Sequence, residues 1–293
     1  MQISTSTNIC EYVLRNYSQP FFTCEESLSM IAKAGFPAVD FCFYSFGSHN
    51  GPLNGDDYQD WVLKQRALAE RLGLTISQAH AVIYKWNDFD NLAWNEELMR
   101  RSIIGAGLLG APWIVIHPGT IWKDGWYSHS ASLETNIRYF SQLGELAAKC
   151  GVGIAIENMV EHRAGARTYC SAPEELCELV DALNDPIFGI CWDTGHANMN
   201  KTAQAESLRY IGKRLKTLHI NDNDGERDSH TAPYFGTTNW REVLQALDQI
   251  GYDGDFAFEA QRFTGVLPPE MIPAALVFLR EMAETMVAFG RVV

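Results

Sequence analysis

Short apolar runs alternate with longer amphipathic stretches along the whole chain. The apolar runs have the length of β-strands, and the stretches between them repeat apolar residues at the spacing of one helix face. Eight strands are predicted: Gln2–Thr5, Ala38–Tyr44, Leu74–His80, Trp113–His117, Gly153–Glu157, Phe188–Asp193, Leu215–Ile220 and Asp255–Glu259. Each is followed by a helical pattern, for example at Asp57–Leu72, Asn95–Leu109, Leu133–Cys150 and Trp240–Ile250. The chain therefore repeats one strand–helix unit.

Several predicted helices end on a glycine that can adopt the left-handed cap conformation: Gly35, Gly73, Gly110, Gly151 and Gly251. Alternating strands and helices predict a parallel sheet, and eight such units favour closure into a barrel. An open doubly wound sheet would need a glycine-rich phosphate turn after its first strand. The sequence there is Ser-Thr-Ser-Thr-Asn. We therefore predict the α/β class and a single (β/α)8 TIM barrel over residues 1–293.

Composition narrows the class of protein further. Apolar residues make up 46% of the 293 residues, enough for one large core. The seven cysteines contain no CxxC pair, which favours a reducing compartment. The first residues resemble no leader, and the longest apolar run, Met271–Leu279, is too short to span a bilayer. The sequence predicts a soluble cytoplasmic protein without a membrane partner.

The chain is acidic, with a formal net charge of -13. Proteins that bind the phosphate backbone normally present a basic face, although a local basic patch is compatible with an acidic chain. We therefore expect a small-molecule substrate and no nucleic acid partner. A homo-oligomer is compatible with the composition.

Metal-binding residue types stand at or just after the ends of six consecutive predicted strands: His80, His117, Glu157, Asp193 with His196, His219, and Glu259. Active sites of such barrels are built at the carboxyl ends of the strands. A lone histidine there is more often a structural group, and a lone glutamate is usually solvated. Six in succession are harder to explain in that way, and three carboxylates around one space repel each other unless a cation joins them. The pattern predicts a divalent metal site.

The phrases that carry these residues resemble the xylose isomerase-like barrel superfamily. The resemblance is to its sugar phosphate isomerase/epimerase branch, which includes D-tagatose 3-epimerase-like enzymes and is related to endonuclease IV. The phrases are IVIHPG, IAIENM, CWDTGHANM, LHINDNDGERDSH and FAFEA, and the match runs from about the third to the eighth strand. By this resemblance, Glu157, Asp193, His219 and Glu259 would bind one divalent ion.

Three carboxylates and one imidazole suit Mn²⁺, Zn²⁺, Co²⁺ or Mg²⁺ and leave positions open for substrate oxygens. Such an ion can stabilise the enediolate that forms when a sugar loses the proton next to its carbonyl group. The resemblance assigns proton transfer on the two faces of the sugar to Glu157 and Glu259. It implies an isomerase or epimerase acting on a sugar or sugar phosphate, with His196, His117 and His80 binding the substrate.

Two alternatives use the same residues. An endonuclease IV-like phosphodiesterase would hold several zinc ions, and a second ion near His80, His117, Asp228 and His230 would suit it. Residues two apart in an extended segment point the same way, so Asp228 and His230 could share an ion, although the segment could equally be a polar loop. The acidic balance and the lack of interleaved basic and aromatic loops argue against DNA as substrate. A dehydratase would need only the same metal and base.

The sequence gives weaker indications of the residues that contact the substrate away from the metal. The phrase HRAGAR supplies Arg163 and Arg167, either of which could bind a phosphate or carboxylate or be a solvated loop charge. The aromatic residues after the fourth predicted strand could line the pocket, or they could anchor a loop or form a subunit contact. They are Trp122, Trp126 and Tyr127. Gly195 is expected to let the chain turn away after Asp193.

Overall fold

The computed structural model describes residues 1–10, 22–161 and 167–290. In these ranges, eight parallel strands form one sheet: β1 Gln2–Ser6, β2 Ala38–Cys42, β3 Thr75–His80, β4 Trp113–Ile116, β5 Gly153–Glu157, β6 Phe188–Asp193, β7 Leu215–His219 and β8 Asp255–Phe258. The strands pair in chain order, and β1 also pairs with β8. Between β7 and β8, the Ile220 amide donates to the Ala257 carbonyl at 2.7 Å. The predicted (β/α)8 TIM barrel is confirmed.

Each strand is followed by one or two helices. They are α1 Cys24–Ala34, α2 Tyr58–Leu72, α3 Leu92–Leu109, α4 His129–Cys150, α5 Pro173–Leu183, α6 Thr194–Met199, α7 Gln204–Ile211, α8 Trp240–Gln249, α9 Gln261–Gly265 and α10 Ile272–Gly290. The five glycines predicted to close helices all have positive φ angles, between 68° and 92°. Helix α4 begins four residues before the predicted start, because the Ser128 side chain accepts a hydrogen bond from the Ala131 amide.

Successive side chains of each strand point to opposite faces of the sheet. One face packs against the helices, and the other lines the inside of the barrel. In β6, Ile190 and Trp192 pack in the large apolar core that also contains residues of the surrounding helices. Cys191, between them, packs with Val115 and Ala155 in a second small cluster. Asp193 follows Cys191 by two residues and so projects from the same face as Cys191. The strand register therefore carries this carboxylate to the carboxyl end of the barrel interior.

Among the described residues, no helix combines the length and apolarity needed to cross a membrane.

Candidate metal centre

A cavity of about 550 Å³ opens at the carboxyl ends of the strands. Seven of its lining residues are site residues predicted from the sequence: His80, His117, Glu157, His196, Asp228, His230 and Glu259. Tyr44 also lines it. The structure therefore brings residues from six barrel segments, spread over more than half of the chain, to one cavity.

The four residues predicted to bind metal converge. Glu157, Asp193, His219 and Glu259 each place one potential ligand atom within 4.8 Å of the others. His219 stands between the two glutamates, with its Nδ1 3.0 Å from Glu157 Oε1 and 3.4 Å from Glu259 Oε2. None of the four is more than 6% exposed. Three buried carboxylates at this spacing need compensating positive charge, and the oxygen and nitrogen donors suit a divalent cation.

The carboxylates of this cluster differ in their affinity for protons. Burial tends to raise the pKa of Glu157, but the charges of His219 and His117 and their hydrogen bonds hold that pKa well below its usual range. Burial raises the pKa of Asp193, against the opposing charges of His196 and His230. A cation bound among them would favour the ionised form of both carboxylates.

Two asparagines fix Asp193 at the end of β6. The Asn158 side chain donates to the Asp193 carbonyl at 2.9 Å and accepts from the Asp193 amide at 2.6 Å. Asn221 donates to Asp193 Oδ2 at 2.8 Å. The other oxygen, Oδ1, accepts from the His196 amide at 2.7 Å and caps the short helix α6. The position of this carboxylate is therefore set by β5, by the segment after β7 and by α6 together.

Gly195, which is expected to let the chain turn away after Asp193, also makes room for a neighbouring side chain. The chain after Asp193 continues into α6, and a Cβ at residue 195 would lie 1.9 Å from Oδ1 of Asn221. A side chain there would displace the asparagine that holds Asp193. The glycine thus makes room for Asn221.

His196 is oriented by the end of β5. Its Nδ1 lies 2.8 Å from the Asn158 carbonyl, and its Nε2 lies 3.8 Å from Asp228 Oδ2. Since the backbone carbonyl can only accept, Nδ1 carries a proton in this contact. The imidazole is therefore anchored on one side and presents its other nitrogen to Asp228, which also lines the cavity.

Asp40 is a residue of the centre that the sequence analysis missed. Its Oδ2 lies 3.2 Å from Nε2 of His219 and accepts from Nε2 of Gln78 at 2.9 Å. A carboxylate at Nε2 holds that nitrogen protonated, so Nδ1, which faces the glutamates, is the nitrogen that would give up its proton and ligate a bound cation. The available signal was an aspartate inside the apolar run AVDFC, in a strand that carried no predicted site residue.

We expect Asp40→Asn to weaken Mn²⁺ binding by about 10–100-fold, because the amide holds His219 less firmly in the ligating orientation. Competition against a metal-chelating dye measures this affinity directly. Asp60→Asn, at an exposed position in the first turn of α2, is the matched control and should bind Mn²⁺ normally. Equal affinity of both variants would show that Asp40 has no part in positioning His219.

Tyr44 is a second residue that the sequence analysis missed. Its hydroxyl donates to Glu259 Oε1 at 3.1 Å, which leaves Oε2 of Glu259 towards His219. Tyr44 follows β2, so the first strands contribute to the site through residues outside the recognised phrases.

The residues predicted near a second ion fall in two groups. His80 and His117 both face Oε2 of Glu157, with their Nε2 atoms at 3.3 and 2.8 Å. Asp228 and His230 instead meet His196, and these three side chains could hold an ion of their own. The structure thus associates Asp228 and His230 with His196 rather than with His80 and His117.

Among the described residues, no arginine of the HRAGAR phrase lines the cavity. Arg163 lies outside the described residues. Arg167 forms ion pairs with Glu161 at 2.6 Å and Glu175 at 2.8 Å, so it fixes the segment after β5. Its role is therefore structural in this arrangement.

The aromatic residues after β4 do not line this cavity either. Trp126 is 79% exposed, and the Tyr127 hydroxyl donates to Glu175 at 2.6 Å. Trp122 lines a neighbouring cavity.

The family model of the xylose isomerase-like TIM barrel matches residues 28–282. The chain therefore belongs to the xylose isomerase-like TIM barrel family. A crystal structure of a D-tagatose 3-epimerase-like protein superposes with a TM-score of 0.69 at 25% identity, covering 96% of this chain and 99% of that one.

Curated relatives match parts of the chain. An uncharacterized protein from Methanocaldococcus jannaschii is 36% identical over 56% of this chain and 55% of its own length. D-psicose 3-epimerase from Enterocloster bolteae is 30% identical over 42% of this chain and 38% of its own. A probable endonuclease 4 from Shouchella clausii is 30% identical over 55% of this chain and 56% of its own. The chain spans about half the length of the curated relatives it matches.

Proposed function

We propose that this chain is a divalent-metal-dependent isomerase or epimerase of a sugar or sugar phosphate, which moves a proton at the carbon next to a carbonyl group. One observation carries the proposal. The carboxylates of Glu157 and Glu259 approach the same His219 nitrogen, at 3.0 and 3.4 Å, and both line the cavity. Chemistry on two faces of one carbon needs two such groups. The similarity to a D-psicose 3-epimerase supports the proposal.

Glu157, Asp193, His219 and Glu259 would hold the cation, which when bound supplies a Lewis acid that makes a proton next to a carbonyl group more acidic. Glu157 would accept that proton in its ionised form, which the neighbouring histidines maintain by holding its pKa well below the usual range. Glu259 would return a proton, and its position is fixed by the hydroxyl of Tyr44.

The histidines of the cavity would orient the sugar. His196 is anchored through Nδ1, and His117 lies 2.8 Å from the proposed base Glu157. Hydrogen bonds from such groups to substrate hydroxyls would place the reacting carbon between the two carboxylates. Correct placement of this kind contributes to rate independently of the proton transfer itself.

Incubation of the Mn²⁺-loaded protein with D-fructose and D-tagatose in D₂O tests the proposal. NMR and mass spectrometry should show deuterium at a carbon next to the carbonyl group, together with an epimer or isomer of the starting sugar. An unsaturated product formed with loss of water would identify a dehydratase. Absence of exchange from both sugars and from their phosphates would contradict the proposal.

A phosphodiesterase with several metal ions is the second candidate. The group His196, Asp228 and His230 favours it, because it could hold an ion beside the first centre. Two neighbouring cations can activate water against a phosphodiester. Cleavage of abasic-site DNA at enzyme-like rates, without any exchange of sugar protons, would replace the isomerase proposal with this one.

A further inference from the structure

We call the cavity that contains Glu157 and Glu259 the catalytic cavity. A second cavity, of about 740 Å³, lies next to it. The two share Tyr84, Lys85 and Pro118 as lining residues, so they meet along the segments that follow β3 and β4. We call the second cavity the aromatic cleft, because its lining includes Tyr84, Trp86, Phe89, Trp122 and Tyr139. A molecule bound in the catalytic cavity therefore has the aromatic cleft as its immediate neighbour.

Three rings of the aromatic cleft are held in place. Trp86 packs directly on Gly119, where a Cβ would lie 2.0 Å from the indole ring. The Trp86 and Tyr139 rings have centroids 4.6 Å apart, and the hydroxyls of Tyr139 and Tyr84 are 2.8 Å apart. Fixed rings bind a ligand without a large loss of side-chain freedom.

Two further rings of the cleft are exposed. Trp122 is 48% exposed and Phe89 is 77% exposed. Exposed large apolar side chains that line a cavity commonly mark a binding surface. Since these residues line the aromatic cleft and not the catalytic cavity, they add a surface that the proposed proton transfer does not use.

The charges of the aromatic cleft argue against a phosphate group as its ligand. Arg138 lines the cleft but forms an ion pair with Glu134 at 2.9 Å. Glu96 adds a negative charge to the lining, which leaves Lys85 as the cation without a described ion pair there. Aromatic faces with scattered polar groups suit a ligand that has apolar C–H faces and hydroxyls at its edges. A sugar ring has both.

We infer that the aromatic cleft binds a second sugar residue, so that the substrate is a carbonyl sugar joined by a glycosidic bond to another sugar. The inference rests on the proposed function for the position of the reacting sugar. That sugar would lie in the catalytic cavity, and its glycosidic partner would extend past Tyr84 and Lys85 into the cleft. Trp122 and Phe89 would then pack on the second ring.

Calorimetric titration of the Mn²⁺-loaded protein tests this inference with D-fructose and three glucosyl-fructoses, linked through O4, O5 and O6 (maltulose, leucrose and palatinose). At least one disaccharide should bind about tenfold or more tightly than D-fructose, as expected for burial of one aromatic face. Trp122→Ala should remove most of that advantage without changing the affinity for D-fructose. Trp122→Phe should restore part of it.

Trp122–Lys123 and Trp126–Tyr127 pair as two short antiparallel strands. Trp126→Ala is the matched control, because Trp126 lies in this hairpin with Trp122 but lines neither cavity. The inference is overturned if no disaccharide binds more tightly than D-fructose, or if both alanine variants weaken it equally. Deuterium exchange in D₂O is measured on the same sugars. Selective disaccharide binding without exchange in any sugar would uphold the cleft and contradict the proposed proton transfer.

Discussion

Glu157→Gln and Glu259→Gln should each lower turnover by about 10²–10⁴-fold, the usual cost of losing a general acid or base. Glutamine keeps the shape of the side chain and one ligand oxygen, but its amide group neither accepts nor returns a proton near neutral pH. Metal should therefore remain partly bound while the chemical step fails. Turnover is measured with the sugar that exchanges deuterium, and the Mn²⁺ content of each variant is measured beside it. Together they separate loss of metal from loss of the chemical step.

Glu70→Gln is the matched control for these variants, because Glu70 is exposed on α2 and pairs with Arg66 there. It should retain normal turnover. His196→Asn should raise KM more than it lowers kcat, since His196 is proposed to orient the substrate. Near-normal turnover of both glutamine variants with metal in place would show that another group is the base.

Asp222→Asn should lower the free energy of unfolding by roughly 3–5 kcal/mol, because two N–H donors that face this buried carboxylate lose their acceptor and the other two lose its charge. Asp222 is fully buried and organises the segment after β7. Its Oδ1 accepts from the amides of Asn223 and Thr238, and its Oδ2 from the Tyr234 amide and the Trp240 indole. An asparagine would present N–H groups to one of these pairs.

The segment that the Asp222 side chain organises reaches the cavity, since the Asp222 backbone forms two hydrogen bonds of 2.9 Å with Thr231, next to His230. Calorimetry should show a melting temperature lower by roughly 6–15 °C. Asp248→Asn, at an exposed position in α8, should melt as the unaltered protein does. A melting temperature unchanged by Asp222→Asn would mean that the segment is held by other contacts.

The barrel and the polar end of its strands could be predicted from local patterns. Periodicity gave eight strands whose ends lie within two residues of those observed, and strand direction then placed His80, Glu157 and Asp193 at one rim. Phe188–Asp193 is buried along its whole length, as the apolar pattern indicated. These features depend on neighbouring residues in the chain, which a sequence displays directly.

The supporting contacts could not be predicted in the same way, because they join distant segments. Asp40 and His219 are 179 residues apart, and Tyr44 and Glu259 are 215 apart. An aspartate or tyrosine near an apolar run has many structural uses, and only the register of the closed barrel shows which partner it meets. The reason for Gly195 likewise depends on Asn221, which approaches from the next strand.

The position of the metal is the most direct test of this account. Crystals of the protein, stripped by chelation and reloaded with Mn²⁺, would give an anomalous difference map at the manganese absorption edge. We expect one strong peak within coordination distance of Glu157, Asp193, His219 and Glu259. A peak elsewhere, or no peak at saturating Mn²⁺, would contradict it.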